Sequence, residues 1–224
     1  MVKPIFTSSP TRILKAAQWL SEHGLWNDIR VSASEFLIGF FFAVLIGIPL
    51  GILLGWYKRL NAMIDPFITA LNATPRVALL PLIILWLGIG TQSIVAVVFL
   101  GAIFPILLNV MAGVKTIDDE LLRCARSFGA TDRQIFTTLA IPTSVPFIIA
   151  GMRLAVGRGL VGVVVGELLA SNAGIGFMMN RAGATFQTDK VIVGLVIIAL
   201  SGYLLTEMLR RLESHYEYWR PGRQ

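Results

Sequence analysis

Long apolar runs separated by short polar segments dominate the chain. Residues 36–56 carry no charged side chain, and residues 77–114 form a second uncharged run of 38 positions. About 20 apolar residues cross a bilayer as a helix, so the longer run, interrupted by glycine and polar residues at 88–93, holds most of two crossings. The pattern predicts five membrane spans, near residues 36–56, 66–88, 92–114, 144–169 and 190–209.

Composition strengthens the prediction of an all-α membrane protein. Hydrophobic residues make up 55% of the 224 positions and charged residues only 14%, whereas soluble domains carry about a quarter charged residues. Backbone groups in the bilayer core must be satisfied within the chain, which selects helices. We therefore predict a polytopic helical bundle of about five transmembrane helices. Its parts are an external or interfacial segment 1–34, a single transmembrane domain 35–212 and a cytoplasmic tail 213–224.

Lysine and arginine residues indicate the orientation of the spans. With residues 115–133 in the cytoplasm, the predicted inner loops and tail carry ten Lys and Arg, against six on the outer side. Because inner loops are enriched in these residues, five spans place the N-terminus outside and the C-terminus in the cytoplasm. Residues 12–30, with Trp19 and Trp26 among them, predict a helix that lies at the membrane interface.

Side-chain chemistry argues against several functions. Cys124 is the one cysteine, and both histidines, His23 and His215, lie outside the apolar runs. This leaves no disulfide framework, no metal cluster and no Ser–His arrangement in a span, so we expect no catalytic residue, metal or cofactor. The net charge of +6 is spread over loops and ends, which fits membrane topology better than nucleic-acid binding. A secondary transporter stays open as an alternative, although the related halves typical of that class are not found.

The polar segment between the third and fourth predicted spans has the pattern of an amphipathic helix. Asp118 is positioned to cap its start, and Gly129 fits the left-handed conformation that ends a helix. Either Thr131 or Asp132 then caps a second short helix, which Pro142 is expected to terminate. The first helix shows an apolar face at roughly helical spacing, formed by Ile117, Leu121, Leu122, Ala125 and Phe128.

This segment resembles the signature of permease subunits of binding-protein-dependent ATP-binding-cassette importers. The signature reads Glu-Ala-Ala, three residues, Gly, nine residues, then Ile-x-Leu-Pro. The matching positions are Arg123-Cys124-Ala125, Gly129 and Leu139-Ala140-Ile141-Pro142. Arg123 replaces the family glutamate and Cys124 the first alanine, and Glu120, one turn earlier, is a candidate substitute. Further similarity, from about residue 34 onward, is closest to the nitrate, sulfonate and taurine branch.

The resemblance implies a type I importer permease fold and a transport subunit rather than an enzyme, in the inner membrane of a bacterium. It implies ABC ATPase subunits that bind the ATP, a periplasmic or lipid-anchored solute-binding protein, a second permease copy and membrane lipid as partners, and no nucleic acid. A homodimer and a heterodimer of permease chains both stay open. Many relatives have a further span before the first one here, so a sequence with a shortened start and a true five-span permease also both stay open. The cytoplasmic coupling segment is expected at residues 115–142, with the ATPase contacting residues 117–142. The expected ATPase-coupling residues are Glu120, Arg123, Cys124, Ala125, Arg126, Gly129, Ala130 and Pro142.

Polar residues within the predicted spans are candidates for the translocation path. A charge at the centre of a membrane helix costs at least about 2.5 kcal/mol, so each one requires an explanation. One explanation is a cationic path for a sulfonate, nitrate or carboxylate; the other is interhelical pairing, snorkelling or contact with anionic lipid. A permease for a different solute also stays open. The candidates are Arg76, Asn109, Arg153, Arg158 and Glu167.

Overall fold

The computed structural model describes residues 8–215, the side chain of His215 excepted, and every regular element in that range is helical. This confirms the predicted all-α fold. The predicted tail 213–224 lies outside the described residues beyond His215. The α-helices are α1 (Pro10–Glu22), α2 (Leu25–Trp56), α3 (Lys58–Ala73), α4 (Leu80–Leu87), α5 (Thr91–Lys115), α6 (Asp119–Ser127), α7 (Asp132–Ile135), α8 (Ile141–Ala170), α9 (Ile175–Ala184) and α10 (Thr188–His215).

Four helical stretches of the described chain are long and apolar enough to cross a membrane. They are Leu25–Trp56, Thr91–Lys115, Asp132–Ala170 and Thr188–Ser214. A fifth crossing results if the pair Lys58–Ala73 and Arg76–Leu87, bent by 85°, forms one span. The predicted span 66–88 is thus a broken helix. Pro75 disfavours helical backbone in the residue before it, and Thr74 is extended, with φ −68° and ψ 129°.

Two helix boundaries differ from the sequence predictions. Helix α2 begins at Leu25, well before the predicted span start at residue 36. The predicted helix 12–30 is therefore divided between α1 and α2, because Gly24 adopts φ +103° and ends the helical run. The prediction that Pro142 terminates a short helix is wrong, because the helix runs unbroken from Asp132 to Ala170. A π-helical turn at Phe136–Ala140 precedes this proline. A wider turn of this kind accommodates the missing N–H and the bulk of the proline ring, so the helix continues through it.

The chain forms two compact units, each with its own apolar core. Within the described residues, the first unit comprises 8–40, 76–101 and 157–204, and the second comprises 41–75, 102–156 and 205–215. Buried clusters of the first unit are Leu20, Leu25, Ile175, Met178 and Val193, and also Leu80, Ile83 and Val97. A buried cluster of the second unit is formed by Leu54, Ile68, Phe104, Leu107 and Met111.

Glycines spaced four residues apart let α2 and α5 pack closely in the second unit. A Cβ atom on Gly51 would lie 2.7 Å from the Cβ of Val110, and one on Gly55 would lie 2.6 Å from the Cβ of Val114. Both distances are shorter than real carbon contacts allow. Gly47 meets α5 one turn earlier, so these small residues form a helix-packing face within the chain.

Candidate functional site

Helix α6 begins with the cap that the sequence predicts. The side chain of Asp118 accepts a hydrogen bond from the backbone amide of Glu120 at 2.7 Å. Asp119 and Glu120 lie in the first turn and Arg126 in the last. Because the helix dipole is positive at its start and negative at its end, these charges stabilise a helix that has little packing of its own.

A left-handed turn at Gly129 ends α6. Gly129 has φ +77°, and its N–H donates to the carbonyl of Arg126 at 2.9 Å. The N–H of Ala130 donates to the carbonyl of Ala125 at 3.1 Å, which completes a Schellman motif. A Cβ atom at residue 129 would meet nothing within 4 Å. Backbone conformation, and not lack of space, therefore favours glycine here.

The next helix, α7, is capped by Thr131 rather than by Asp132. The Thr131 hydroxyl accepts from the Gln134 amide at 3.4 Å, while the Gln134 side chain accepts from the Thr131 amide at 2.8 Å. This reciprocal pair is a capping box. Asp132 instead lies 3.5 Å from Arg126, with both side chains largely exposed, so that ion pair contributes at most about 1 kcal/mol.

Apolar side chains on α6 and its turn face solvent. No residue of α6 is buried, and the exposed fraction is 51% for Leu121 and 88% for Phe128. Exposed apolar patches on proteins mark sites of protein–protein or membrane interaction. The predicted coupling residues from Glu120 to Ala130 lie together on this helix and turn, whereas Pro142 lies in the first turn of α8, after the π-helical turn.

A groove of about 750 Å³ runs beside α6 in the second unit. The ring of Trp56, at the end of α2, packs edge-to-face on Phe136 of the π-helical turn, with 5.4 Å between the ring centroids. This contact fixes the position of α7 against α2. Positive side chains dominate the rim, and the charged residues of the lining are Lys58, Arg59, Lys115, Asp119, Arg126 and Asp132.

Two of the predicted path residues come together in the first unit. Arg76 is half-buried in the short 3₁₀ helix Arg76–Leu79, and Arg158 is exposed on α8. The positive charge of Arg158 acts electrostatically on Arg76. Two like charges held near each other form a locus that attracts an anion.

Two other predicted path residues, both in the second unit, make contacts within the chain. The Nη1 atom of Arg153 lies 3.1 Å from the Oε2 atom of Glu213 on α10. The side-chain amide of Asn109 donates to the carbonyl of Pro105 at 2.8 Å. Arg153 thus takes part in interhelical pairing, and Asn109 bonds within its own helix.

The fifth predicted path residue, Glu167, is fully buried in the first unit and caps α9. Three side chains accept hydrogen bonds from the first amides of that region: Glu167 from Gly176 at 2.6 Å, Asp28 from Gly174 at 3.0 Å and Ser32 from Ile175 at 2.9 Å. The start of a helix leaves unsatisfied N–H groups, and these acceptors supply their partners. Glu167 is therefore part of the packing between α2, α8 and α9.

Sequence reasoning missed Glu35, which is 1% exposed and interacts with Glu167. The uncharged run begins at Phe36, so hydropathy leaves Glu35 outside the first span. An acidic residue directly before an apolar run was the signal that could have identified it. Burial of a carboxyl group is costly, and no local pattern shows that helix packing buries Glu35.

Comparison with known protein families gives one broad match. The family described as "Binding-protein-dependent transport system inner membrane component" matches residues 47–218. The taurine transport system permease protein TauC of Escherichia coli (strain K12) is 32% identical over 225 aligned positions, which cover 98% of this chain and 82% of that protein. The putative aliphatic sulfonates transport permease protein SsuC of Bacillus subtilis (strain 168) is 32% identical over 210 positions, covering 94% and 76%.

A solved structure shares the fold. A chain of the methionine ABC transporter MetNI, in an inward facing conformation, superposes with a TM-score of 0.72 at 20% sequence identity. The match covers 96% of this chain and 99% of that one. At this identity the similarity concerns the fold alone.

Proposed function

This chain belongs to the family of binding-protein-dependent transport system inner membrane components, and we propose that it forms the path of an ATP-driven importer for a small organic anion. It is a multi-pass membrane permease subunit of the ABC importer class. A separate ATPase binds and hydrolyses the ATP, and this chain binds no cofactor of its own. In the proposed topology the N-terminus is external and the C-terminus cytoplasmic.

The exposure of α6 carries the proposal that the ATPase docks there. Leu121 and Phe128 are 51% and 88% exposed, and a soluble partner that covers them gains hydrophobic stabilisation. Burying a side chain of this size contributes about 1.5–3 kcal/mol. Arg123 is also exposed, and it stands where the family has a glutamate. We therefore expect an acidic residue of the ATPase opposite Arg123, whereas the family glutamate would pair with a basic residue.

The connections of this segment support a coupling role. Helix α6 follows α5 after three residues, and α7 continues without a break into the helix Asp132–Ala170. A partner that moves α6 and α7 therefore moves two membrane-crossing helices. ATP-driven closure of two ATPase subunits would bring the segments of two permease copies together. That rigid-body change switches the path between its inward-facing and outward-facing states.

The proposed solute is an anion of the sulfonate type, delivered by an external binding protein. Arg76 and Arg158 provide two neighbouring positive charges. The relatives TauC and SsuC are named for taurine and for aliphatic sulfonates. A sulfonate carries one negative charge on three oxygens, which suits guanidinium donors.

Co-purification in detergent tests the docking proposal. We expect the variant with Leu121→Ser and Phe128→Ser to bind the ATPase at least about tenfold more weakly than the unmodified chain, since 1.4 kcal/mol corresponds to tenfold in affinity. Less ATPase should therefore co-purify with this variant. Leu14→Ser is the matched control, because Leu14 is 70% exposed on α1. Equal ATPase recovery with the α6 variant and the control would contradict docking at α6.

Uptake into proteoliposomes tests the solute. The complete transporter, with the binding protein and ATPase that co-purify with this chain, is supplied with labelled taurine and ATP. We expect ATP-dependent uptake that unlabelled alkanesulfonates suppress and that a neutral compound of similar size does not. A transporter that keeps its ATPase but takes up no taurine, and whose transport no sulfonate inhibits, would reject the solute class. The docking proposal would be unaffected by that result.

A further inference from the structure

A pocket of about 390 Å³ lies in the first unit, and no residue of the coupling segment lines it. Its lining comes from α1, the turn before α2 and the first turn of α2, and from the loop before α9, α9 itself, the loop after it and the start of α10. Small-molecule sites usually have volumes of about 300–1,000 Å³, so a compact ligand fits. The predicted topology places residues 171–190 at the external side.

Two positive side chains of this pocket are held against aromatic rings. The Nζ atom of Lys190 lies 3.5 Å from the centroid of the Trp19 ring, and the Cζ atom of Arg181 lies 5.9 Å from that of Phe177. Within residues 8–215 neither side chain forms an ion pair. A ring face positions a cation without neutralising it. Both side chains therefore keep hydrogen-bond donors available for a ligand.

Neutral amide groups add further donors to the same pocket. The side chains of Asn27, Asn172 and Gln187 line it, and in the part of the chain that the structure describes none of them has a recorded side-chain hydrogen bond. Asp28 is the single carboxylate of the lining, and it accepts the amide of Gly174 at 3.0 Å. Two cations and three amides against one engaged carboxylate make the pocket selective for negative charge.

We propose that this pocket binds one tetrahedral oxyanion, a sulfonate or a phosphate group, through Arg181 and Lys190. Guanidinium donors form paired hydrogen bonds with such oxygens, and a nearby ammonium adds attraction. The group has two sources: a soluble sulfonate, or the phosphate of an anionic lipid, because α1 is expected at the membrane interface. The first source rests on the proposed solute class, whereas the second is independent of it.

Binding by the full-length chain distinguishes the two sources. In one arm, labelled methanesulfonate is titrated against the chain in detergent. In the other, the chain is placed in nanodiscs of phosphatidylglycerol or of phosphatidylcholine, and native mass spectrometry counts the lipids retained. The test variant combines Arg181→Gln with Lys190→Gln. Arg12→Gln, which removes an exposed cation of α1 outside the pocket, is the control. Lys190→Arg tests rescue of the charge.

We expect the double variant to weaken methanesulfonate binding by at least about tenfold, or to lose retained phosphatidylglycerol, while Arg12→Gln matches the unmodified chain. A loss in the first arm identifies a soluble sulfonate as the ligand, and a loss in the second identifies a lipid phosphate. Thermal unfolding of the variants verifies that they are folded. Lys190→Arg, which keeps the positive charge, should bind as the unmodified chain does. Equal binding in both arms by the double variant and the unmodified chain would overturn the proposal, even if sulfonate uptake is intact.

Discussion

The turn at Gly129 allows a quantitative test of the coupling segment. Gly129 has φ +77°, and a Cβ atom there would meet nothing within 4 Å. Replacement by alanine therefore costs only the strain of a left-handed backbone, about 1–2 kcal/mol. Asparagine tolerates this conformation better, and a β-branched residue tolerates it worst. The expected order of damage is Val, then Ala, then Asn.

Local strain at this turn should reach the ATPase directly, because α6 buries no side chain that could hold it in place. A cost of 1–2 kcal/mol lowers the ratio of correctly folded to misfolded turn by a factor of about 5–30, and for a turn of marginal stability the folded fraction falls by up to the same factor. The apparent Kd of the ATPase rises by the same factor when only that fraction binds. We expect a rise of up to about 5- to 30-fold for Gly129→Ala, a larger one for Gly129→Val and a smaller one for Gly129→Asn.

Titration of the ATPase onto the chain in nanodiscs measures these affinities. Hydrogen exchange of the α6 amides provides an independent readout, and it should accelerate in the same order. Asparagine and valine have similar volumes, so a steric explanation predicts similar effects for the two. Equal affinity for all three variants, or equal damage by Asn and Val, would refute the argument from backbone conformation.

Three further predictions concern other parts of the molecule. Gly51→Ala should lower the midpoint of thermal unfolding of the chain in detergent, because overpacking typically costs about 1–3 kcal/mol. The control Gly157→Ala should not lower it, because an added Cβ there meets open space. Equal midpoints for the two variants would contradict close packing at Gly51. Glu167→Ala should cost about 1–3 kcal/mol of stability by leaving a buried amide unpaired, and Glu167→Gln, which keeps an acceptor, should cost less; a reversed order would contradict the capping role. Arg158→Ala should abolish uptake while ATPase association is preserved, and unaltered uptake kinetics would assign Arg158 to packing or lipid contact.

Local signals predicted the helix ends in this segment. Asp118 and Gly129 act on backbone groups no more than a few residues away, so their roles are readable from the sequence. For the second helix the sequence left Thr131 and Asp132 open as caps, and the structure selects Thr131. The family membership also confirms the resemblance drawn from the Gly129 and Pro142 spacing. Pro142 itself was misread, because a π-helical turn placed before it is not encoded by any simple residue pattern.

Long-range contacts explain what sequence reasoning could not reach. Asp28 and Ser32 bond to amides 146 and 143 residues away, so hydropathy gave no reason to extend α2 back to Leu25. In the same way, Arg181 and Lys190 are, from the sequence, two of the six Lys and Arg residues counted on the outer side. Their convergence with Trp19 depends on the packing of α1 with α9 and α10, which no local pattern specifies.

Photo-crosslinking in native membrane vesicles tests the central claim most directly. A photoreactive residue is placed at Phe128, and in a control chain at Tyr203, which is 65% exposed on α10. We predict that the crosslinker at residue 128 captures an ATPase subunit and that the one at residue 203 does not. Capture of no ATPase at residue 128, in vesicles that transport the solute, would contradict the claim that α6 receives the force of ATP hydrolysis.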